Sequence, residues 1–347
     1  PQGRPMNRRS FPWSLILAAL GGGVYTLTLY RDPAVGNQMT NLFIFSILAI
    51  GLNVIVGSAG MFHLGIAALF GIGAYTTGVL TIPGNPFGCR FWTSLALSTL
   101  AAGLAGTVLA APLLRLRGDY FALVTLAFGE VVRFSLRNLE EITGGTRALN
   151  PIPPPLLPHW LANLLRHIGV GSEFAEEYRL FYWLDLALLL AVAALVWRVD
   201  TSWLGRRGRA VRDDELAAAS LGINVAQAKL SALAVGSGLA GMAGSLYAFK
   251  ITSTASPDAY DFSRSAILLC VIIVGGLGSV RGAIAGTFIV LGFDNLLTPS
   301  LDHLIQSWQP FGAENRLLIF SNWRMLVFGT LLIALMRFRP AGLFPGK

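Results

Sequence analysis

The stretch Arg212–Asn224 reads RDDELAAASLGIN: four charges, three consecutive alanines and a glycine, inside a 347-residue chain that is 54% hydrophobic and only 13% charged. A soluble domain carries roughly 25% charged residues. A mean hydropathy of +0.62 therefore marks lipid as the solvent of most of the chain, and the charged stretch as a place where the chain leaves it. Working outward from it, stretches of about 20 mostly apolar residues, the length a membrane helix needs, occur at 13–30, 39–57, 60–82, 91–114, 119–136, 180–198, 229–249, 264–280, 282–298 and 317–336. Lipid offers backbone polar groups no partners, so these are expected to be helices. The expected fold is an all-α, glycine-rich membrane bundle of about ten transmembrane helices.

Net charge is +8, yet Lys and Arg lie at span ends and in short loops rather than on one face. This excludes a nucleic-acid surface and fits the positive-inside rule. With ten spans and a cytoplasmic N-terminus, the inner segments collect Arg4, Arg8, Arg9, Arg115, Arg117, Arg198, Arg206, Arg207, Arg209, Arg212, Arg281, Arg337, Arg339 and Lys347. The C-terminus then returns to the cytoplasm. NRRSFPW (7–13) resembles a twin-arginine signal, but no A-x-A site follows it; it reads as the flank of an uncleaved first span. Cys89 and Cys270 are not expected to pair.

Residues 1–347 read as one membrane domain. The helices fall into two groups, 13–136 and 180–336, around an outer loop at 137–179. That loop contains NPIPPPLLPHW (150–160), whose prolines block regular helix, and LANLLRHIGV (161–170), which reads as an interfacial amphipathic helix. Glycines recur within spans, as in GIAALFGIGAYTTG (65–78), GSGLAGMAGS (236–245) and GGLGSVRGAIAG (275–286); small residues at i and i+4 let helix backbones approach closely. GGLGSVRG lacks the strand and ribose-binding acid of a dinucleotide loop. No G-x-x-x-x-G-K-[ST] occurs either, so ATP, if it drives this protein, binds elsewhere.

Within the largest cytoplasmic segment, 199–228, Asp213 or Asp214 can cap a helix and Glu215 suits its positive first turn. Gly222 stands where a left-handed C-terminal cap is wanted. The expected helix has about two turns, too short to stand alone in water. It must pack on something, and Ala217, Ala218 and Ala219 give it a narrow face suited to a partner's groove.

GRAVRDDELAAASLGINVAQAKLSALAVGSGLAGMAGSLYA (208–248) resembles the cytoplasmic coupling loop and following span of branched-chain amino acid ABC importer permeases. So do IGLNVIVGSAGMFHLGIAALFGIGAYTTGVL (50–80), GDYFALVTLAFGEVVRFSLRNLEEITGG (118–145), SPDAYDFSRSAILLCVIIVGGLGSVRGAIAG (256–286) and FRPAGLF (338–344), in order along nearly the whole chain. The resemblance implies a pore-forming subunit of the bacterial inner membrane, with no cofactor and no catalysis of its own. Its implied partners are a second, homologous permease chain, two cytoplasmic ATPases that bind ATP and Mg, and a periplasmic or lipid-anchored binding protein. Asp213, Asp214, Glu215, Ala217, Ala218, Ala219 and Gly222 would form the coupling helix.

Candidates for the substrate path are polar groups at membrane depth. Glu130 and Arg133, at i and i+3, can neutralise each other as a brace or face the path. Thr143, Gly144 and Gly145 offer either an anion-binding nest or an ordinary turn. Asn53 and His63 are placed for interhelical hydrogen bonds or for the path; at His63 and Ile66 the chain is less polar than the resembling family. Permeases for urea, short amides or sugars are the neighbouring alternative. An ion-coupled secondary transporter would use broken helices near the midplane, and a channel would need a ring of selectivity groups; neither accounts for a capped cytoplasmic helix.

Overall fold

The computed structural model describes residues 33–82, 86–113, 119–153 and 177–293, isolated positions between 323 and 337, and 342–344. Along these, α1 is Pro33–Asn53 and runs into a π-helical turn, Val54–Ser58; α2 is Ile66–Thr81, α3 Phe91–Leu113 and α4 Asp119–Asn138. A single turn, α5 (Glu140–Thr143), and a 3-10 turn, Gly145–Arg147, follow. The second group holds α6 (Glu177–Thr201), α7 (Trp203–Asp213), α8 (Glu215–Ser220), α9 (Val225–Ile251), a 3-10 turn at Pro257–Tyr260, α10 (Phe262–Gly275) and α11 (Val280–Gly292). No strand occurs among the described residues, as expected of a chain whose solvent is lipid.

The bundle is organised around α9, which packs along α1, α2 and α3. Its glycines make this possible. A Cβ on Gly73 of α2 would strike the Gly241 backbone, and one on Gly244 would strike the carbonyl of Phe70. Where the backbones come so close, hydroxyls join them: Thr77 Oγ1 lies 2.8 Å from Ser98 Oγ and donates to Ser245 Oγ at 2.8 Å, linking α2, α3 and α9. Such short side chains serve as interhelical polar contacts in apolar surroundings.

Among the described residues, four helices are long and apolar enough to cross a membrane: Gly36–Ser58, Phe91–Pro112, Phe181–Thr201 and Val225–Ile251. They correspond to the stretches expected at 39–57, 91–114, 180–198 and 229–249. The others need correction. The stretch 60–82 is helical only from Ile66; its 16 residues reach about 24 Å, short of the roughly 30 Å hydrocarbon core. The stretch 119–136 is one helix, α4, but Asp119, Glu130, Arg133 and Arg137 make it less apolar than a lipid-facing span. The two spans expected at 264–280 and 282–298 are a bent pair: Pro257–Gly275 and Val280–Gly292 are bent by 119° at the break between them. The break falls in GGLGS because Gly276 (φ 117°) and Gly278 (φ 76°) adopt backbone angles that side chains disfavour. The stretches 13–30 and 317–336, the end of 282–298 and the amphipathic helix at 161–170 lie outside the continuously described residues.

The C-terminal segment returns to this break. Leu343 N–H donates to Val274 O at 3.0 Å and Phe344 N–H to Gly275 O at 2.8 Å, satisfying carbonyls that the end of α10 leaves open.

Candidate functional site

The charged stretch folds as its local chemistry dictates. Asp214, with extended backbone, accepts from Leu216 N–H at 2.8 Å and Ala217 N–H at 3.0 Å, capping α8. At the other end Gly222 takes φ 79°, its N–H donates to Ala219 O, and Ile223 N–H donates to Ala218 O, each at 3.0 Å. This left-handed closure satisfies the last carbonyls of the helix. Asp213 is exposed and meets only Arg212, at 3.4 Å.

The outward face differs from the expected one. Ala218 is turned inward, 2% exposed, in a small cluster with Val211 and Ala228. Ala217 and Ala219 remain exposed, but the large exposed groups are Leu216 (71% exposed) and Leu221 (80%). An ion pair ties α8 to the bundle: Lys229, 5% exposed on α9, donates to Glu215 Oε1 at 2.5 Å.

Behind α8 runs a chain of contacts that reaches the helix break. Arg212, the penultimate residue of α7, donates from Nη1 to Gly57 O at 2.7 Å. Gly57 lies in the π-helical turn, and a Cβ there would collide with the backbone of Gly278. One turn earlier, buried Asn53 accepts from Gly278 N–H through Oδ1 at 2.9 Å. Asn53 thus joins the end of α1 to the break between α10 and α11.

His63 lies in the non-helical residues 60–65 rather than in a helix. It is 4% exposed, meets Phe121 edge-on at 6.2 Å, and its buried Nδ1 has no hydrogen-bond partner. With Leu109, Phe121 and Phe128 it lines a small apolar cavity.

At the opposite end of the bundle, Arg133 and Glu130 form the expected pair, Nη2 to Oε2 at 2.7 Å. A third member joins: Arg133 Nη1 is also 2.7 Å from Asp258 Oδ1, in the turn before α10. Of the two readings of Thr143–Gly145, a nest or a turn, the hydrogen bonds are those of a turn. Gly144 N–H donates to Glu140 O, Gly145 N–H points to Thr143 Oγ1, and Thr143 Oγ1 itself donates to the carbonyls of Leu136 and Leu139. Both N–H groups are engaged within the chain, so the segment is a turn that caps α4. Arg212 and Asp258 are the residues that sequence reasoning passed over as site members. An inner arginine and a loop aspartate carry no local signal of partners 155 and 125 positions away.

Residues 34–336 match the profile of the family described as branched-chain amino acid transport system / permease component. The chain is 35% identical over 316 residues, 88% of its length and 69% of the relative's, to the high-affinity branched-chain amino acid transport system permease protein LivM of Escherichia coli K12. It is 22% identical over 256 residues (73% and 68%) to a probable branched-chain amino acid transport permease protein LivM of Methanocaldococcus jannaschii. It is 33% identical over 135 residues, 38% of each chain, to the autoinducer 2 import system permease protein LsrC of Klebsiella pneumoniae. No solved structure matches the chain significantly.

Proposed function

The chain belongs to the branched-chain amino acid transport system permease family, and from that premise we infer that it is the membrane subunit of an ATP-driven importer for branched-chain or other neutral hydrophobic amino acids. The observation that carries this reading is the family match over 34–336 together with 35% identity to a high-affinity branched-chain permease. The subunit makes and breaks no bond. It pairs with a second permease chain, receives substrate from a periplasmic or lipid-anchored binding protein, and is driven by two cytoplasmic ATPases that hold ATP and Mg. Its place is the bacterial inner membrane; the basic α7–α8 segment faces the cytoplasm under the positive-inside rule.

In this reading α8 is the coupling helix. Leu216 and Leu221 enter the ATPase surface, and α8 cannot move alone. Glu215 and Lys229 fix it to α9, and Ala218 wedges it against Val211 and Ala228. Arg212 fixes α7 to Gly57, whose π-turn abuts Gly278. A push on α8 therefore reaches α1, α9 and the α10–α11 break together. Packed helices shift as units rather than deforming.

The test is uptake of labelled leucine by cells expressing this chain with its partner subunits, with isoleucine, glutamine, glutamate, urea and ribose as competitors. Strong competition by isoleucine, with uptake lost on ATP depletion, is expected. Competition by urea or ribose alone would replace the substrate class, and uptake surviving ATP depletion would replace the ATP-driven mechanism.

A further inference from the structure

Arg264 differs from every other cation described in the bundle. It is the third residue of α10, and its guanidinium carbon lies 5.4 Å from the ring centroid of Phe45, 5.8 Å from Tyr247 and 6.0 Å from Phe70. These rings pack on one another, Phe70 to Tyr247 at 5.4 Å and Phe45 to Phe70 at 5.9 Å. They come from α1, α9 and α2, so four helices converge on one charge.

Among the described residues no carboxylate pairs with Arg264, whereas Arg133 takes two. Asp261, which could have served, caps α10 by accepting the Arg264 backbone N–H at 3.1 Å. Arg264 Nη1 is buried without a hydrogen-bond partner. Ring faces attract a cation but do not satisfy its in-plane N–H donors, and a buried donor without an acceptor is costly. A planar guanidinium with free donors is the group best matched to a carboxylate. A second orphan lies on α1 one turn before Phe45, on the same face: the buried Oδ1 of Asn41 accepts no hydrogen bond.

An unpaired cation, an unpaired acceptor and a wall of aromatic rings complement a zwitterion with an apolar side chain. We propose that Arg264, with Asn41 and the rings of Phe45, Phe70 and Tyr247, forms a binding station for the transported amino acid, with Arg264 holding its α-carboxylate. Asn41 accepts from the ammonium group and the rings cover the side chain. The station lies at the Asp258 end of the bundle, remote from α7 and α8, where substrate released by the binding protein arrives. This inference rests on the amino acid reading above and places substrate contact on this chain.

The test uses the full complex with its ATPases and binding protein in proteoliposomes, supplied with a leucine analogue bearing a side-chain diazirine and irradiated during ATP-driven uptake. Adducts are expected on the peptides carrying Phe45, Phe70 or Tyr247. Arg264→Met keeps the apolar stem; it should lower leucine uptake at least tenfold and abolish those adducts while the complex still assembles. Arg264→Lys keeps the cation and loses the fork, and should recover only part of the uptake. Full activity and unchanged adducts in Arg264→Lys would mean a structural cation–ring latch and overturn the proposal, as would adducts confined to other segments or unchanged uptake by Arg264→Met. Wild-type complex that carries no leucine at all would overturn the amino acid reading and this station with it; wild-type uptake with an indifferent Arg264 overturns the station alone.

Discussion

Arg212 Nη1 donates to the carbonyl oxygen of Gly57 at 2.7 Å, joining the end of α7 to a π-helical turn 155 residues earlier. That turn is itself pressed on Gly278, so one arginine connects the segment before α8 to the break between α10 and α11. A hydrogen bond from a charged donor contributes about 1.5–3 kcal/mol. Arg212→Ala should leave the protein inserted and assembled while lowering ATP-driven leucine uptake about tenfold or more. Uptake at the wild-type rate, at equal protein level, would show that Gly57 does not relay motion.

Asn53→Leu removes the acceptor for Gly278 N–H and leaves that partly buried donor unsatisfied, a loss of about 1 kcal/mol. Asn53→Asp keeps an oxygen in place. Thermal unfolding of the purified protein in detergent should therefore rank wild type above Asn53→Asp and Asn53→Asp above Asn53→Leu; equal midpoints for wild type and Asn53→Leu would remove the contact from the account of how the break is held.

Gly222 has open space around its Cα but φ 79°, which proline cannot adopt, and its N–H is used by Ala219 O. Gly222→Pro should leave insertion intact and abolish transport-coupled ATP hydrolysis by unfolding the end of α8. Ala218→Leu should do the same by overfilling the Val211–Ala228 cluster at a cost of about 1–3 kcal/mol. Ala219→Leu, at an exposed position on the same helix, should be stable. A coupled ATPase rate unaffected by both Gly222→Pro and Ala218→Leu would rule out α8 as the coupling element.

Lys229 is buried and Glu215 is partly exposed, so the two ends of the pair are not equivalent. Glu215→Gln strands a buried ammonium and should cost about 1–3 kcal/mol or more. Lys229→Met fills the same space without charge and should be close to neutral in stability. Melting curves in detergent that show the reverse order would mean the pair is held for Glu215 rather than for Lys229.

Arg133 is shared by Glu130 and Asp258. Asp258→Asn should loosen the turn before α10 with a smaller effect than Glu130→Gln, because Asp258 is the more exposed partner and exposed pairs contribute about 0–1 kcal/mol. Limited proteolysis within 252–262 would report the loosening; identical cleavage rates in wild type and Asp258→Asn would remove the pair as a brace.

What the sequence alone determined is local. The caps of α8, the helices at 39–57, 91–114, 180–198 and 229–249, and the Glu130–Arg133 pair each follow from residues within one or two turns of each other, where propensity, capping and i, i+3 spacing act. Tertiary structure decided the rest. Which face of α8 turns inward depends on Val211 and Ala228; that Asn53 holds Gly278 depends on a contact across 225 positions; that Arg133 takes a second carboxylate depends on one across 125. A long apolar run likewise does not state whether it crosses straight or folds back. The bend after Gly275 is set by glycine backbone angles and by what packs into the corner, Gly57 on one side and Gly342–Phe344 on the other. Local rules are short-ranged because they act through adjacent backbone groups, whereas the pairing of a lone polar residue is settled only when helices distant in the chain are brought together in a medium that offers no other partner.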